Sequence, residues 1–259
     1  MAHQEATAGN GKRPGASLRA AAVSRSFAGV TALDEVTLEL ERHEVVGLIG
    51  PNGAGKSTLV NLMSGFDSPD RGSIELDARD ITRWRPDRRA RNGLSRTFQL
   101  SHAFRGLSVR ENIEVAALGA GASARTARRR ADELLGLMKL SAYANVPADA
   151  LAHGDERRLG VGRALATEPR FVLMDEPAAG LTEAEVPELA AVVRAVRDEH
   201  GAGVLLIDHN MALIMGVCDR IEVLDQGRTL ARGTPAEIRE DLDVAAAYLG
   251  ESAVREDTP

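Results

Sequence analysis

The chain has 259 residues, 44% hydrophobic and 27% charged, which is enough for one substantial α/β core with appendages. Its formal net charge of −6 argues against a nucleic-acid binder held by overall charge, so no nucleic-acid partner is predicted. The single cysteine, Cys218, excludes an intramolecular disulfide framework, fits a reducing compartment and is predicted to be a small buried side chain.

The two ends of the sequence predict tails around one folded domain. Residues 1–17 are rich in glycine, alanine and polar residues and lack the apolar run of a secretory signal, so a disordered tail is expected. No stretch reaches the ~20 apolar residues that span a bilayer. We therefore expect a domain over residues 18–250, a C-terminal tail over 251–259, and a cytosolic chain that reaches a membrane only through a partner.

The first part of the domain alternates like an antiparallel sheet. LRAAAVSRSF and VTALDEVTLEL predict two strands around a turn at Gly29, and GSIELDARD predicts an edge strand. EVVGLIG is an unbroken apolar run and predicts a central parallel strand. It leads directly into PNGAGKST and a predicted helix, LVNLMSG.

The middle of the chain is helical in composition, and residues 101–165 predict an inserted helical subdomain. Strand signals then return in RFVLMDEP and GVLLIDHN, separated by a predicted helix capped by Thr182 and Glu185. DRIEVLDQGRTLARG predicts a hairpin, and Thr234 with Pro235 opens a last helix. The predicted fold is a doubly layered α/β core with an antiparallel β subdomain and the helical insertion.

The segment GPNGAGKST matches the phosphate-binding pattern G-x-x-x-x-G-K-[ST]. Its glycines let backbone N–H groups surround the β- and γ-phosphates, Lys56 supplies a positive charge, and the Ser57 hydroxyl can bind Mg²⁺. A plain glycine turn is the alternative, but the position between a buried strand and a helix argues against it. The loop residues are Gly50, Pro51, Asn52, Gly53, Ala54, Gly55, Lys56, Ser57 and Thr58.

Polar residues that suit phosphate chemistry follow two other strands. Asp175 places a carboxylate where it can hold Mg²⁺, and Glu176 can polarise a water toward the γ-phosphate, whereas capping the next helix is the alternative for this pair. His209 is interpreted as a γ-phosphate contact, although a lone histidine is usually structural. Gln99 in RTFQ is a neutral group that can orient water and contact Mg²⁺.

In this order and spacing the elements resemble the ATP-binding subunits of ABC transporters, over nearly the whole chain. SRTFQ, LAHGDERRLGVGRALATEP, DEPAAGLT and YLGE most resemble the branched-chain amino acid importer branch. The resemblance implies a P-loop NTPase fold of the ABC ATPase type and an enzyme that hydrolyses ATP with Mg²⁺ to drive solute uptake. It also implies that Phe27 stacks on adenine, with a core phenylalanine as the alternative.

The resemblance further implies a catalytic site shared between two chains. In the family, two domains close head to tail, and the segment that matches LAHGD contacts the γ-phosphate on the other domain. Ala152 and Gly154 would therefore bind the ATP of a second ATP-binding subunit, identical or homologous. Transmembrane permease subunits, to which a solute-binding protein delivers the solute, would dock a short helix at residues 99–110 on the inner face of the membrane. This contact would carry the closure of the two ATP-binding domains to the permease.

The LAHGD segment departs from the usual L-S-G-G-Q of the family. Ala152 lacks the serine hydroxyl, His153 replaces a glycine and Asp155 replaces the glutamine. A carboxylate beside a γ-phosphate is unfavourable unless it points away or is hydrogen-bonded locally. Gly160 and Gly162 in the following helix each cost ~1 kcal/mol relative to alanine, which indicates close packing.

Several alternatives stay open from the sequence. An ATPase for urea or amide uptake or for lipopolysaccharide-type export would share the catalytic residues and is the alternative. A non-transport ABC ATPase or an ATP-binding module without turnover is a less favoured alternative. The arginine-rich runs at residues 83–96 and 128–130 are predicted to be solvated helix faces, with nucleic acid or lipid head groups as alternative contacts.

Overall fold

The computed structural model describes residues 17–97 and 103–248, and these residues form two β-sheets with helices packed against them. The strands are β1 (Ser17–Phe27), β2 (Val30–Glu41), β3 (Val45–Ile49), β4 (Arg71–Leu76), β5 (Arg79–Asp80), β6 (Leu94–Thr97), β7 (Phe171–Asp175), β8 (Gly203–Ile207), β9 (Arg220–Asp225) and β10 (Arg228–Gly233). The helices are α1 (Lys56–Ser64), α2 (Pro86–Arg91), α3 (Val109–Gly119), α4 (Ala124–Leu137), α5 (His153–Leu165), α6 (Val186–Asp198), α7 (Met211–Val217) and α8 (Pro235–Glu240). The predicted tails lie outside the described residues, apart from Ser17, which begins β1.

The larger sheet has the order β10-β9-β3-β8-β7-β6 and is parallel except for the predicted β9–β10 hairpin. Its central strand, β3, is buried along its whole length. The unbroken apolar run EVVGLIG predicted this, because a strand covered on both faces does not alternate. Since β3, β7 and β8 run in parallel, their carboxyl ends lie at one edge of the sheet, and the segments that follow them meet there.

The smaller sheet, β2-β1-β4-β5, is antiparallel, as the alternation predicted. Val36, Leu38 and Leu40 of β2 are buried, whereas the residues between them are more exposed. Helix α1 packs between the two sheets, and its Leu59 and Leu62 belong to one buried cluster with residues of both. This packing fixes the helix that carries Lys56.

Helices α3, α4 and α5 lie between β6 and β7 in the chain and confirm the predicted helical subdomain. The sequence places α3 by a capping box, in which Ser108 and Glu111 satisfy each other's backbone N–H groups. A Cβ on Gly162 of α5 would lie 3.3 Å from Met138 Cγ and 3.5 Å from Ile113 Cδ1, so this glycine permits the predicted close packing. No helix within the described ranges is both long enough and apolar enough to cross a bilayer.

The arginine-rich run at residues 83–96 is solvated at four of its arginines, as predicted, but the prediction was wrong for Arg89 and Arg96. The run forms α2 and β6, and the side chain of Arg89 is 1% exposed. Burial lowers the pKa of the Arg89 guanidinium to about 10. The cation is stable there because it donates to backbone carbonyls, two of which end α1. The accepting carbonyls belong to Leu62, Met63, Ile81, Thr82 and Trp84.

Helix α6 begins at Val186 with Glu185 as its N-cap residue, three residues later than a cap at Thr182 predicted. The Glu185 carboxylate does accept from the backbone N–H and the hydroxyl of Thr182, at 2.8 Å each, but these bonds close a turn. Pro187 explains the later start. It has no N–H to donate, so it is tolerated in the first turn and not one turn further into a helix.

Candidate functional site

Residues 50–58 join the end of β3 to the start of α1, so the strand–loop–helix context of the phosphate-binding motif is present. Gly50 and Gly55 have φ values of 147° and 102°, in the region that favours glycine. A Cβ on Gly50 would lie 2.0 Å from the carbonyl oxygen of Leu224, and one on Gly55 would lie 2.6 Å from that of Ala32. The loop can follow this path only with glycine at both positions.

The phosphate loop forms one wall of a cavity of about 190 Å³. The ammonium group of Lys56 is nearly buried and donates to the carbonyl oxygens of Gly50 and Pro51, at 2.6 and 2.8 Å. Two of the residues predicted at strand ends, Glu176 and His209, line the same cavity, so the topology brings them to the loop. The lining residues are Ala32, Asn52, Gly53, Ala54, Gly55, Lys56, Ser57, Thr58, Glu176 and His209.

Glu176 and His209 are direct neighbours in the lining of this cavity. The Glu176 Oε1 atom lies 3.4 Å from His209 Nε2, and their side chains are 26% and 54% exposed. Glu176 has a φ of +48°, which is strained for a residue with a side chain, and its N–H donates to the carbonyl of Ile207 at 2.8 Å. Strained backbone of this kind persists only where the surroundings impose it, and it is frequent at functional sites.

Asp208 holds the two strand ends together. It is 5% exposed, and its two carboxylate oxygens accept from the backbone N–H groups of Ala178 and Asn210, at 2.8 Å each. Because Ala178 follows Glu176 and Asn210 follows His209, one buried carboxylate fixes the spacing between their two segments.

Asp175 lies behind the cavity wall and forms an ion pair with Arg96. An Arg96 N–H donates to Asp175 Oδ2 at 2.8 Å, and the side chains are only 12% and 15% exposed. The same guanidinium donates to Asn61 Oδ1 at 2.7 Å and to Ser64 Oγ at 3.1 Å. The alternative that Asp175 and Glu176 cap the next helix is wrong, because that helix begins at Val186.

The oxygen donors near the loop suit Mg²⁺. Ser57 offers an exposed hydroxyl and Asp175 a carboxylate, which are the hard ligands that this ion prefers. Within the described ranges, no group of three or more His, Cys, Asp and Glu side chains forms a metal cage. Mg²⁺ at nucleotide sites usually has few protein ligands besides waters and phosphate oxygens, so the donor set fits the ion.

Two residues predicted for the site, Phe27 and Gln99, are not among the described residues that line the cavity. Phe27 ends β1 with its ring 46% exposed, and the Arg25 guanidinium lies 4.8 Å from its centroid. The core-phenylalanine alternative is therefore wrong, and stacking on adenine remains a prediction. Gln99 lies outside the described residues, so its predicted contacts with water and Mg²⁺ also remain predictions.

The LAHGD segment opens α5. Ala152 is the N-cap residue, with extended backbone and no side-chain hydrogen bond, and it is exposed. His153 is exposed, and its ring packs against Gly180, since a Cβ added to Gly180 would lie 3.2 Å from the Cδ2 atom of His153. Gly154 lies near the carboxylate of Glu185, 3.0 Å from where its Cβ would be. The helix start is thus open to solvent at Ala152, where the sequence predicted a contact in trans.

Asp155 is paired within its own helix. It forms an ion pair with Arg158, which also donates to Glu188 at 3.0 Å. Glu188 accepts in turn from Lys139 at 3.0 Å, and that hydrogen bond lowers the pKa of Glu188. The local hydrogen bond that would make a carboxylate tolerable in this segment is therefore present.

Arg157, Arg96 and Asp208 were not predicted to be site residues. Asp208 had a usable signal, since it directly follows a buried strand, next to His209. The two arginines had no local signal, because each contacts a partner far away in sequence. Arg157 of α5 donates to the carbonyl oxygen of Glu176 at 2.7 Å.

Together these groups can bind a polyphosphate and hydrolyse it. A glycine loop with a lysine at a helix N-terminus holds anions through backbone N–H groups and the helix dipole. Glu176 supplies a base beside this site, and His209 supplies a group that can donate a hydrogen bond to a phosphoryl oxygen. The arrangement contains the parts needed for phosphoryl transfer to water.

Comparison with known families gives two matches along the chain. Residues 33–179 match the family model described as ABC transporter. Residues 228–254 match the model described as branched-chain amino acid ATP-binding cassette transporter. The first segment contains the phosphate loop, the LAHGD segment, Asp175 and Glu176, and the second contains α8.

Curated relatives and a solved structure match nearly the whole chain. The high-affinity branched-chain amino acid transport ATP-binding protein LivG of Salmonella typhimurium is 43% identical over 87% of this chain and 94% of its own. The corresponding protein BraF of Pseudomonas aeruginosa is 40% identical over 91% of this chain and 98% of its own. A crystal structure of the ADP conformation of an ATP-binding cassette of an ABC transporter superposes with a TM-score of 0.80 at 28% identity, covering 91% of this chain and 99% of the other.

Proposed function

The chain belongs to the ABC transporter family, and from this premise we propose that it is the ATP-hydrolysing subunit of an importer for branched-chain or related amino acids. The observation that carries the proposal is the similarity to LivG and BraF, which extends from the phosphate loop to the C-terminal match. Solute would pass through separate permease subunits, delivered to them by a solute-binding protein. The chain would be peripheral on the cytoplasmic face of the membrane, where ATP is available.

The chemistry follows from residues of one chain. Lys56 leaves the carbonyls of Gly50 and Pro51 to bind the β- and γ-phosphates, and the loop N–H groups surround them. Glu176 takes a proton from the attacking water, while His209 donates to the γ-phosphoryl group. When bound, Mg²⁺ neutralises charge on the phosphates, and the residues that would hold it are Ser57, Gln99 and Asp175.

A second subunit completes the site in this proposal. Ala152 and Gly154 would contact the γ-phosphate held by the partner, through the N-terminal end of α5. Exposure of Ala152 supports this role, and so does the pairing of Asp155 with Arg158, which leaves no uncompensated carboxylate beside an anion. The partner is either a second copy or a homologous ATP-binding subunit.

The permease contact is proposed at a cleft between the sheet core and the helical subdomain. The cleft has a volume of about 380 Å³, and it includes Thr97, the last described residue before the gap at 98–102. Phe66 on one side is 55% exposed, and Arg163 on the other stacks over the half-exposed ring of Phe104 at 4.7 Å. An apolar rim with cationic walls fits a short membrane-subunit helix with an apolar face and an acidic residue.

The experiment that tests the function is purification of the full chain with its membrane partners, followed by reconstitution in vesicles. We expect ATP-dependent movement of a branched-chain amino acid and phosphate release at matching rates. ATP-driven removal of a lipid would instead indicate an export ATPase, and nucleotide binding without phosphate release would indicate a module without turnover. Salt-sensitive binding of RNA or DNA at physiological ionic strength would favour a non-transport ATPase.

The trans arrangement has a separate test. Chains with Ala152→Cys and chains with Asn52→Cys are mixed in the Glu176→Gln background and oxidised with or without Mg-ATP. We expect a disulfide between the two chains only with Mg-ATP. Failure to crosslink while ATP is bound would remove the shared site from the proposal.

A further inference from the structure

Arg157 connects two parts of the chain that serve different nucleotides under the proposed function. It lies one turn into α5, with one guanidinium N–H donating to the carbonyl oxygen of Glu176 at 2.7 Å. Its other nitrogens face the Nε2 atom of His153 at 3.2 and 3.4 Å. A single planar side chain therefore joins the exposed start of α5 to the backbone of the proposed base.

The backbone of Glu176 needs such support. Its φ of +48° costs of order 1–3 kcal/mol, so the conformation is kept only by contacts that fix it. The N–H is fixed by the carbonyl of Ile207 at 2.8 Å, and the carbonyl accepts from Arg157 at 2.7 Å and, over a longer 3.2 Å, from the backbone N–H of Ala179. Without Arg157 the shorter of the two bonds to this carbonyl is lost, so the Glu176 peptide is held less firmly and its carboxylate can shift away from His209.

We propose that Arg157 is a positioning residue for Glu176, and that it transmits the position of the α5 start to the base. This inference rests on the proposed function, in which that start contacts the nucleotide of the partner subunit. ATP on the partner would hold His153 and α5 in place, α5 would hold Arg157, and Arg157 would hold Glu176. Each subunit would then hydrolyse its own ATP efficiently only when its neighbour is also loaded.

Arg129 of α4 provides the control. Its side chain is 72% exposed, and its ion pair with Glu133, within the same helix, spans 3.9 Å. Arg129→Met removes the same charge from an exposed face of the helical subdomain. A general effect of charge loss would therefore appear equally in both variants.

The test compares Arg157→Met, Arg157→Lys and Arg129→Met in the full chain. Readouts are kcat, KM and the Hill coefficient for ATP, together with ATP affinity measured in the Glu176→Gln background. For Arg157→Met we expect kcat to fall about tenfold, an ATP Kd unchanged within about twofold, and a Hill coefficient that drops to about 1. Arg157→Lys retains a donor for the Glu176 carbonyl and should recover part of kcat, whereas Arg129→Met should stay within about twofold of the parent.

The outcomes separate this inference from the proposed function. A parent chain that hydrolyses ATP without cooperativity, or Arg157 variants that match the parent in kcat and Hill coefficient, would overturn the inference and leave the function intact. Equal losses in Arg157→Met and Arg129→Met would also overturn it. A parent chain without any ATP hydrolysis contradicts the proposed function itself. If Arg157→Met does not fold, Arg157→Lys decides by its Hill coefficient alone.

Discussion

The Nε2 atom of His209 lies 3.4 Å from the Oε1 atom of Glu176, although the two residues follow different strands, β8 and β7. In the proposed mechanism Glu176 is the base that acts on water beside the γ-phosphate, and His209 is the hydrogen-bond donor. Glu176→Gln keeps the size and hydrogen bonding of the side chain and removes its basicity.

We therefore expect Glu176→Gln to bind ATP as tightly as the parent while phosphate release falls by about 10²–10⁴. ATP should also trap the variant as a dimer, which gel filtration detects. Glu199→Gln is the control, because it makes the same change at an exposed glutamate directly after α6. This variant should hydrolyse ATP at the parent rate. Hydrolysis by Glu176→Gln at the parent rate would show that the base is a different group.

Asp155→Gln tests the altered LAHGD segment. Because Asp155 is already paired with Arg158, its charge is compensated, and we expect ATP hydrolysis to be retained or raised. Loss of the pair should lower the free energy of unfolding by about 0.5–1 kcal/mol, since both side chains remain partly solvated. Steady-state phosphate release and urea unfolding measure the two effects, and a loss of activity greater than about tenfold would contradict the first.

Arg96→Met should destabilise the fold by leaving Asp175 without its counter-charge. Removing one partner of a fully buried pair costs about 3–5 kcal/mol, and the residual exposure of this pair reduces the expected loss to about 2 kcal/mol. Arg85→Met is the control, because Arg85 is 90% exposed and its pair with Asp87 spans 3.7 Å. Urea unfolding should separate the two variants, and equal midpoints would mean that the Arg96–Asp175 pair contributes nothing.

The buried thiol of Cys218 makes the free energy of unfolding depend on pH. The thiol is buried beside Gly47, and burial raises its pKa from 9.0 to about 12. The folded state thus retains a proton that the unfolded state loses, so this contribution to stability is complete below pH 9 and is lost as the pH rises toward 12. A thiol reagent at pH 8 should react with the native protein far more slowly than with the protein in urea, and equal rates would contradict the buried position.

The central strands and both sheet types could be predicted because their signals are local. β3 and β8 are apolar runs followed directly by a glycine and an aspartate, and β7 is an apolar run that ends in Asp175. In β2, apolar and polar residues alternate. Strand β6 was missed, since LSRT has no pattern of its own and becomes a strand by pairing with β7. Its burial comes from neighbours, not from composition.

Most of the candidate site could also be predicted, because its residues directly follow strands that run in parallel. The arginines could not be assigned. Arg89 is stable inside the protein because backbone carbonyls accept its hydrogen bonds, and two of these, at the end of α1, lie 26 and 27 positions earlier. Arg96 pairs with Asp175, 79 positions later. Charge density predicts solvent for such residues, and only the fold supplies the acceptors that reverse this.

Helix α1 has a cation at each end, and the two have opposite effects. Arg89 sits at the carbonyl end, where the helix dipole favours positive charge, whereas the Lys56 ammonium adds positive charge to an end that is already positive. The carbonyls of Gly50 and Pro51 accept from this ammonium group at 2.6 and 2.8 Å. Because the ammonium charge and the positive end of the helix dipole have the same sign, a polyanion bound there, even one without a nucleobase, should stabilise α1 and the two sheets that pack against it.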